Sequence, residues 1–526
     1  MNPPPLRPPA AAALAAASGL LLLAALPRAD AWPLAFVALT PLVVATHRQP
    51  PLRAAALGWI AGLATALPGI AWLHGTLVAF SGLAAGAAAA VVVAVAALQA
   101  ARLALATAVA ACAARRGWPR APLLVAALVG VEVAIPLPFP WTMAATLHSI
   151  PELLQGAELG GPYLVVLLLA GVGGALAEPW VARLDQRPPR WAIVALGVSA
   201  PVVAFAAGCA RIRALESALA SAPLGSVGIV QANLGLLAKS RDREEGVRTH
   251  LALTRGLEAG AGPLDVVVWS ETSVMLPIAE REAATELALR VGPFVQSPVV
   301  TGAVLVREAA PGERARLLNA AVLVGRDPTQ VGTYAKRRLL PLGEYVPLER
   351  WVPWVRRWLP RTGRFVPGEA TSPLRLGERG LAASICYEDV SPEVVRDGVR
   401  QGRVDLLVNL TNDAWFGDTA EPWLHLALAK LRAIEHRRYL IRATNSGVSA
   451  VVDPAGRVVA SAPSFRPATL VAEIRWLSEG TVWGAVGPGP WWGLAVAAAA
   501  AAALRRPGSR RDPARSTPGD RDLPRE

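Results

Sequence analysis

Apolar runs of bilayer length recur through the first 210 residues and once more near the far end, and so many of them cannot all be hidden in soluble cores. Seven lie at about 10–27, 31–46, 54–73, 84–111, 121–136, 162–178 and 191–209, with an eighth near 486–504. The pattern predicts a polytopic α-helical membrane protein with about eight transmembrane helices. The first run follows Arg7 as a signal peptide would, but the second begins just after Pro27 to Asp30 with no convincing cleavage site, so it reads as a retained anchor. With 53% of the 526 residues apolar and 17% charged, a disordered chain is excluded.

The formal charge of +13 would suggest nucleic acid in a soluble protein, so the location of the basic residues decides. They mark short connections: Arg7, then Arg48 and Arg53, then Arg115, Arg116 and Arg120, then Arg183, Arg187 and Arg190, with Arg505, Arg506, Arg510 and Arg511 in the tail. Basic loops stay on the cytoplasmic side, which predicts that the segment after the seventh run lies outside and the tail returns inside. Loop markers form no continuous groove for phosphates, and no nucleic-acid partner is expected. Cys112, Cys209 and Cys386 make neither a disulfide framework nor a zinc spacing, and no metal or cofactor is implied.

Between about 224 and 478 charged residues become frequent and short apolar runs alternate with helical stretches, which divides the chain into a membrane domain at 1–212, an inserted domain at 224–478, a helix at 484–505 and a disordered tail at 506–526. Strands are expected at 227–231, 265–269, 299–306, 320–324, 381–385, 406–410, 448–452 and 470–474, and helices at 243–259, 280–291, 392–401 and 422–438. Strands this oily are buried on both faces, so the insert reads as an α/β sandwich with helix-covered sheets.

Three polar motifs stand out, two of them directly after such strands, where α/β proteins build their sites. Glu271 follows Asp265-Val-Val-Val-Trp-Ser; Lys336, one of only three lysines, precedes a Pro/Gly turn carrying Glu344; Cys386, the insert's only cysteine, follows Leu381-Ala-Ala-Ser-Ile. A thiol needs a base to become a nucleophile, and a nearby cation favours both the thiolate and a tetrahedral oxyanion. Glu271 as base, Lys336 as oxyanion partner and Cys386 as nucleophile meet those needs for acyl transfer without histidine. The backbone N–H of Tyr387 is a second oxyanion donor if the turn is tight.

These residues also carry a resemblance. Trp-Ser-Glu271, Lys336 with Pro-Leu-Gly-Glu344-Tyr-Val-Pro, Cys386-Tyr387-Glu388 and Asn409-Leu-Thr-Asn412-Asp-Ala-Trp415-Phe416-Gly417 are similar to the carbon-nitrogen hydrolase, or nitrilase, superfamily. With the spans, the loop Phe139-Pro-Trp141 and the runs from Leu431 and Arg442, the chain more narrowly resembles the apolipoprotein N-acyltransferase family. The resemblance implies an extracytoplasmic αββα domain on a bacterial inner membrane, a triad of Glu271, Lys336 and Cys386, and support from Glu344, Tyr387 and Glu388. It also implies an acyl chain taken as a thioester from a phospholipid, typically phosphatidylethanolamine, and passed to the α-amino group of a diacylglyceryl-cysteine on an apolipoprotein. Gln231-Ala-Asn233 departs from the family pattern by continuing through Gly235 and Leu236, and Ser240 follows Lys239 where the family has Trp.

Lipid substrates bring the site to the bilayer, since moving a chain out costs about 0.8 kcal/mol per CH₂. Trp415, Phe416, Trp423 and the stretch from Trp351 through Trp354 to Trp358 are candidates to meet the interface, with Arg356 and Arg357 for lipid phosphates. Glu132, inside the fifth run, calls for a partner or a cavity, or else a place near the helix end. Two other readings remain open on sequence alone: a membrane-tethered amidase that passes the thioester to water, and a transporter or receptor with an amide-binding outer domain.

Overall fold

The computed structural model describes residues 4–235, 242–308, 315–326, 331–347, 349, 351–359, 362–369 and 372–506. Lys239, Ser240, the side chain of Trp358 and the tail from 507 onward, including Arg510 and Arg511, lie outside the described residues.

The expectation of about eight transmembrane helices does not hold. Among the described residues three helices, Pro51–Gly69, Ala85–Arg115 and Trp191–Ser221, are long and apolar enough to cross a membrane, or four if the pair Pro151–Gly160 and Pro162–Leu176, bent by 119°, forms one span. Hydropathy registers apolar length but not helical continuity. The run at 31–46 breaks into Leu34–Val37 and Thr40–Thr46. Those at 10–27, 121–136 and 486–504 yield Pro8–Ala24, Arg120–Ala134 and Gly489–Ala503. At 15 to 17 residues these rise only about 22–26 Å, against a hydrocarbon core of about 30 Å. The basic connections nevertheless gather at one end of the bundle, where Arg48 and His47 meet Asp185 at 2.8 and 2.7 Å, Arg120 donates to the Gln49 carbonyl, and the Arg506 N–H reaches the Arg116 carbonyl.

Among the described residues the inserted segment forms two sheets. The strands are β1 (Leu224–Gln231), β2 (Val266–Trp269), β3 (Val274–Ala279), β4 (Val299–Arg307), β5 (Arg316–Val324), β6 (Val331–Ala335), β7 (Leu374–Leu376), β8 (Arg379–Ile385), β9 (Leu406–Thr411), β10 (Leu440–Thr444), β11 (Ala450–Val452), β12 (Val458–Ser461) and β13 (Ala468–Arg475). One sheet runs β13-β1-β2-β4-β5-β6 with β3 beside β4; the other runs β12-β11-β10-β9-β8-β7. Strands β1, β2 and β4 are parallel to one another, as are β8, β9 and β10.

Side-chain alternation along these strands builds four layers. Val266 and Val268 of β2 meet Val408 and Leu410 of β9 between the sheets. Val267 and Trp269 point the other way, onto Leu251, Leu257 and Leu287 of helices Glu245–Ala261 and Ala283–Val291. On the far side Leu407 and Leu440 pack on Val395, Leu426 and Ala433 of helices Pro392–Arg400 and Glu421–His436.

Helix Glu421–His436 is buried along nearly its whole length because its opposite face, Leu431 and Ile434, packs into the membrane bundle. The two domains are tied by Lys430 Nζ to the His148 carbonyl (2.7 Å), Thr76 Oγ1 to the Trp415 carbonyl (2.6 Å) and Gln155 Nε2 to the Ala455 carbonyl (3.0 Å). The α/β domain thus sits on the end of the bundle away from the basic connections.

Candidate active site

Three strand endings converge. Glu271 leaves β2 through a turn in which Thr272 is left-handed (φ +51°). That turn crosses β4 at Gly302, where a Cβ would lie 2.4 Å from the Thr272 nitrogen, so only glycine lets it pass. Lys336 follows β6, and its main chain is held by the Asn319 carbonyl at 2.8 Å. The Lys336 side chain is 1% exposed and lies 2.9 Å from Glu344 Oε2 and 3.4 Å from Glu271 Oε1. Asn319 Nδ2 donates to both carboxylates, at 2.7 and 2.9 Å, and the Leu340 N–H holds Glu344 at 2.7 Å.

Two carboxylates around one ammonium leave a surplus negative charge in a dry place. Burial raises the pKa of Glu271, Glu344 adds to the rise and Lys336 opposes it. Burial works against the Lys336 charge, yet Glu344, Glu271 and the Cys386 sulfur hold its pKa well above the usual ammonium range. The Cys386 thiol feels both partners: burial pushes its pKa up, Glu271 pushes further, and Lys336 pulls it down. The resting sulfur is therefore a thiol.

Cys386 itself is left-handed (φ +53°) at the end of β8. A non-glycine residue held there costs of order 1 kcal/mol and needs surrounding bonds to hold it. Glu388, fully buried, provides them. Its carboxylate accepts from the Ile385 N–H (2.9 Å), the Tyr334 hydroxyl (2.9 Å) and the N–H groups of Arg337 (2.7 Å) and Arg338 (3.0 Å), stapling the cysteine turn to the turn after Lys336. Asn409 Nδ2 holds the Cys386 carbonyl at 3.1 Å. Glu388→Gln turns one acceptor oxygen into a donor facing donors. It is expected to lower stability by about 2–4 kcal/mol, as denaturant titration would register.

Beneath this turn lies a network that motif reading missed. Tyr387 stacks on His425 at 4.5 Å and donates its hydroxyl to Glu421. His425 Nδ1 lies 3.1 Å from Asp413 Oδ1 and Nε2 lies 2.8 Å from Asp389 Oδ1. Arg442 bridges the same pair at 2.7 and 3.0 Å. A neutral imidazole has one donor, and ionised carboxylates only accept, so both contacts require the imidazolium. Burial and Arg442 press against that charge, but Asp389 and Asp413 outweigh them and lift His425 to about 9.

Because this folded pKa stands above the unfolded value near 6.5, the stabilisation is complete below about pH 6.5 and is lost as pH rises through about 9. The thermal midpoint in detergent is expected to fall between about pH 7 and 9, and His425→Gln to lower it at pH 6 and flatten that fall. A wild-type midpoint that rises over that range would contradict the charged imidazole.

The aromatic candidates separate. Phe416 is buried and joins Trp72 (4.7 Å), Tyr387 (5.5 Å) and, through Trp72, Phe139 (5.3 Å) in a cluster linking the bundle to the cysteine turn. Trp415 is half-buried beside it; Trp423, Trp351 and Trp354 are exposed. Glu132, near the end of its helix, accepts from Thr142 Oγ1 (2.7 Å) and the Met143 N–H (3.3 Å), and lines a cavity with Arg102, an intramembrane arginine that sequence reading passed over.

A carbon-nitrogen hydrolase family model matches residues 226–479, and a model of the apolipoprotein N-acyltransferase N-terminal domain matches residues 18–175. The chain is 31% identical to an apolipoprotein N-acyltransferase of Geobacter metallireducens, over 91% of this chain and 92% of that one. It is 34% identical to one of Azotobacter vinelandii, over 92% and 93%. A solved nitrilase-superfamily member of Saccharomyces cerevisiae overlaps 48% of this chain and 90% of its own, at 17% identity and a TM-score of 0.37.

Proposed function

This chain belongs to the apolipoprotein N-acyltransferase family, acyltransferases of lipoprotein maturation that join a nitrilase-type domain to a membrane domain, and from that premise we propose that it performs ping-pong N-acyl transfer through Cys386. The observation that carries the reading is the buried ammonium of Lys336 between Glu271 and Glu344, acting on a thiol held in a left-handed turn.

In the first half-reaction Glu271 accepts the thiol proton as sulfur attacks an ester carbonyl of a phospholipid, phosphatidylethanolamine being the donor the family implies. Lys336 and the Tyr387 N–H receive the oxyanion. Collapse breaks the ester C–O bond, Glu271 returns its proton to the leaving alkoxide, and lysophospholipid departs from a C–S acyl-enzyme. In the second half-reaction the α-amino group of a diacylglyceryl-cysteine apolipoprotein attacks the thioester. The amine proton passes to Glu271 and on to the departing sulfur, and the amide leaves with the thiol restored. Glu344 holds Lys336 in place, and Glu388 and Tyr387 fix the turn.

The α/β domain works on the periplasmic side of the bacterial inner membrane. What supports this is that the arginine-rich connections, which favour the cytoplasm, lie at the opposite end of the bundle. Incubation with acyl-labelled phosphatidylethanolamine tests the first half-reaction. The expected result is hydroxylamine-sensitive label on the protein with an equal amount of lysophospholipid released; label that never becomes covalent contradicts it.

A further inference from the structure

A groove of about 1060 Å³ runs between helices Arg120–Ala134, Pro162–Leu176 and Trp191–Ser221, and its lining residues all fall between Val43 and Arg211, none in the α/β domain. Helix Trp191–Ser221 leans against the bundle with much of its surface exposed, touching helix Pro162–Leu176 closely at Gly197, where a Cβ would come within 2.5 Å of the Ala175 Cβ. Beside that contact the space is unfilled: a Cβ on Gly171, which lines the groove, would meet nothing within 4 Å. The walls are aliphatic, among them Leu168, Val172 and Leu196.

One end is polar, and its charges do not balance. Asp185 is taken by His47 and Arg48, and Glu178 by Arg187. Arg120 gives Nη1 to the Gln49 carbonyl at 3.2 Å, while its Nε and Nη2 have no solvent-exposed surface and no hydrogen-bond partner among the described residues. Leaving two guanidinium N–H groups dry and unbonded is costly, and the group that suits their fork is a phosphate or carboxylate oxygen pair.

We infer that this groove is a second lipid site, separate from the acyl-donor site, in which a phospholipid lays its chains along the aliphatic walls and its phosphate draws the Arg120 guanidinium, covered in this conformation, toward the groove it lines. Free phosphate answers the arginine but leaves the walls empty; a diacylglycerol fills the walls but leaves the arginine bare. Helix Trp191–Ser221 leads directly into β1 and pairs with the rest of the molecule through Arg211–Glu158 and Glu216–Arg457, so the lipid braces the element from which the α/β domain hangs.

The test is native mass spectrometry on the delipidated full chain in detergent, titrated with dioleoyl phosphatidylglycerol or dioleoylglycerol, for wild type, Arg120→Gln and Gly171→Trp. Because the acyl-donor site also takes phospholipid, the readout is the number of lipids bound. Wild type is expected to hold one more phosphatidylglycerol than either variant at the same concentration, with affinity for that lipid at least about tenfold weaker in Arg120→Gln and for dioleoylglycerol weaker by a similar factor. Equal numbers in all three proteins, or dioleoylglycerol binding as well as phosphatidylglycerol, overturns the inference and leaves only bulk bilayer lipid filling the groove.

Discussion

Cys386→Ala is expected to leave a folded protein that never acquires an acyl group from phospholipid, with turnover reduced at least about 10³-fold. The fold survives because alanine occupies the same left-handed position at no greater backbone cost, and the bonds that hold the turn come from Glu388 and Asn409 rather than from sulfur. The thermal midpoint should therefore stay within a few degrees of wild type, about the shift that 1 kcal/mol produces. Intact-mass analysis after incubation with phospholipid reads the outcome, and a full acyl adduct on the alanine protein would remove Cys386 from the nucleophile's role. Cys386→Ser is a sharper probe. Glu271 beside Lys336 suits a thiol proton but not the far less acidic hydroxyl, so a slow oxyester or none is expected.

Lys336 carries the second large effect, and two substitutions separate charge from shape. Lys336→Met leaves Glu271 and Glu344 facing one another across Asn319 with no cation, in a place where the lysine was 1% exposed. Breaking a buried pair this way costs about 3–5 kcal/mol, because it strands charge. Activity and stability should fall together. Lys336→Arg keeps the charge but replaces a point donor with a planar fork that cannot sit 2.9 and 3.4 Å from two carboxylates and still meet an oxyanion. Its stability should fall less, while acylation drops about 10²–10³-fold, the usual loss for an oxyanion donor. An arginine variant acylated at the wild-type rate would show that Lys336 serves packing rather than the reaction.

The sequence revealed those features in which a residue's chemistry conflicts with its surroundings. Glu271 and Cys386 stood out because each follows an oily run that ends abruptly, and Lys336 because lysine is rare in this chain and it precedes a Pro/Gly turn; the three groups lie in electrostatic reach of one another. Asn319 stayed hidden, since one amide inside β5 reads as noise although it bridges Glu271 and Glu344. Arg442 went further and concealed β10 itself: a buried arginine breaks the apolar pattern, and its partners Asp389 and Asp413 come from other elements. His425 lay on a helix whose faces are both covered, so no amphipathic stripe pointed to it. The short strands β7 and β12 are too brief or too exposed to alternate legibly. The membrane spans were overcounted for a different reason. An apolar run says a segment avoids water, but whether it crosses as one helix depends on breaks and bends, such as the 119° between Pro151–Gly160 and Pro162–Leu176, which hydropathy does not record.

Transfer and hydrolysis share every step up to the thioester and differ only in whether an amine or water reaches it. The decisive measurement gives the wild-type protein acyl-labelled phosphatidylethanolamine together with a diacylglyceryl-cysteine lipopeptide and follows the label. Label is expected in an alkali-stable amide on the lipopeptide N-terminus, appearing as label on Cys386 disappears. Label released as free fatty acid, with the lipopeptide unmodified, would contradict N-acyl transfer.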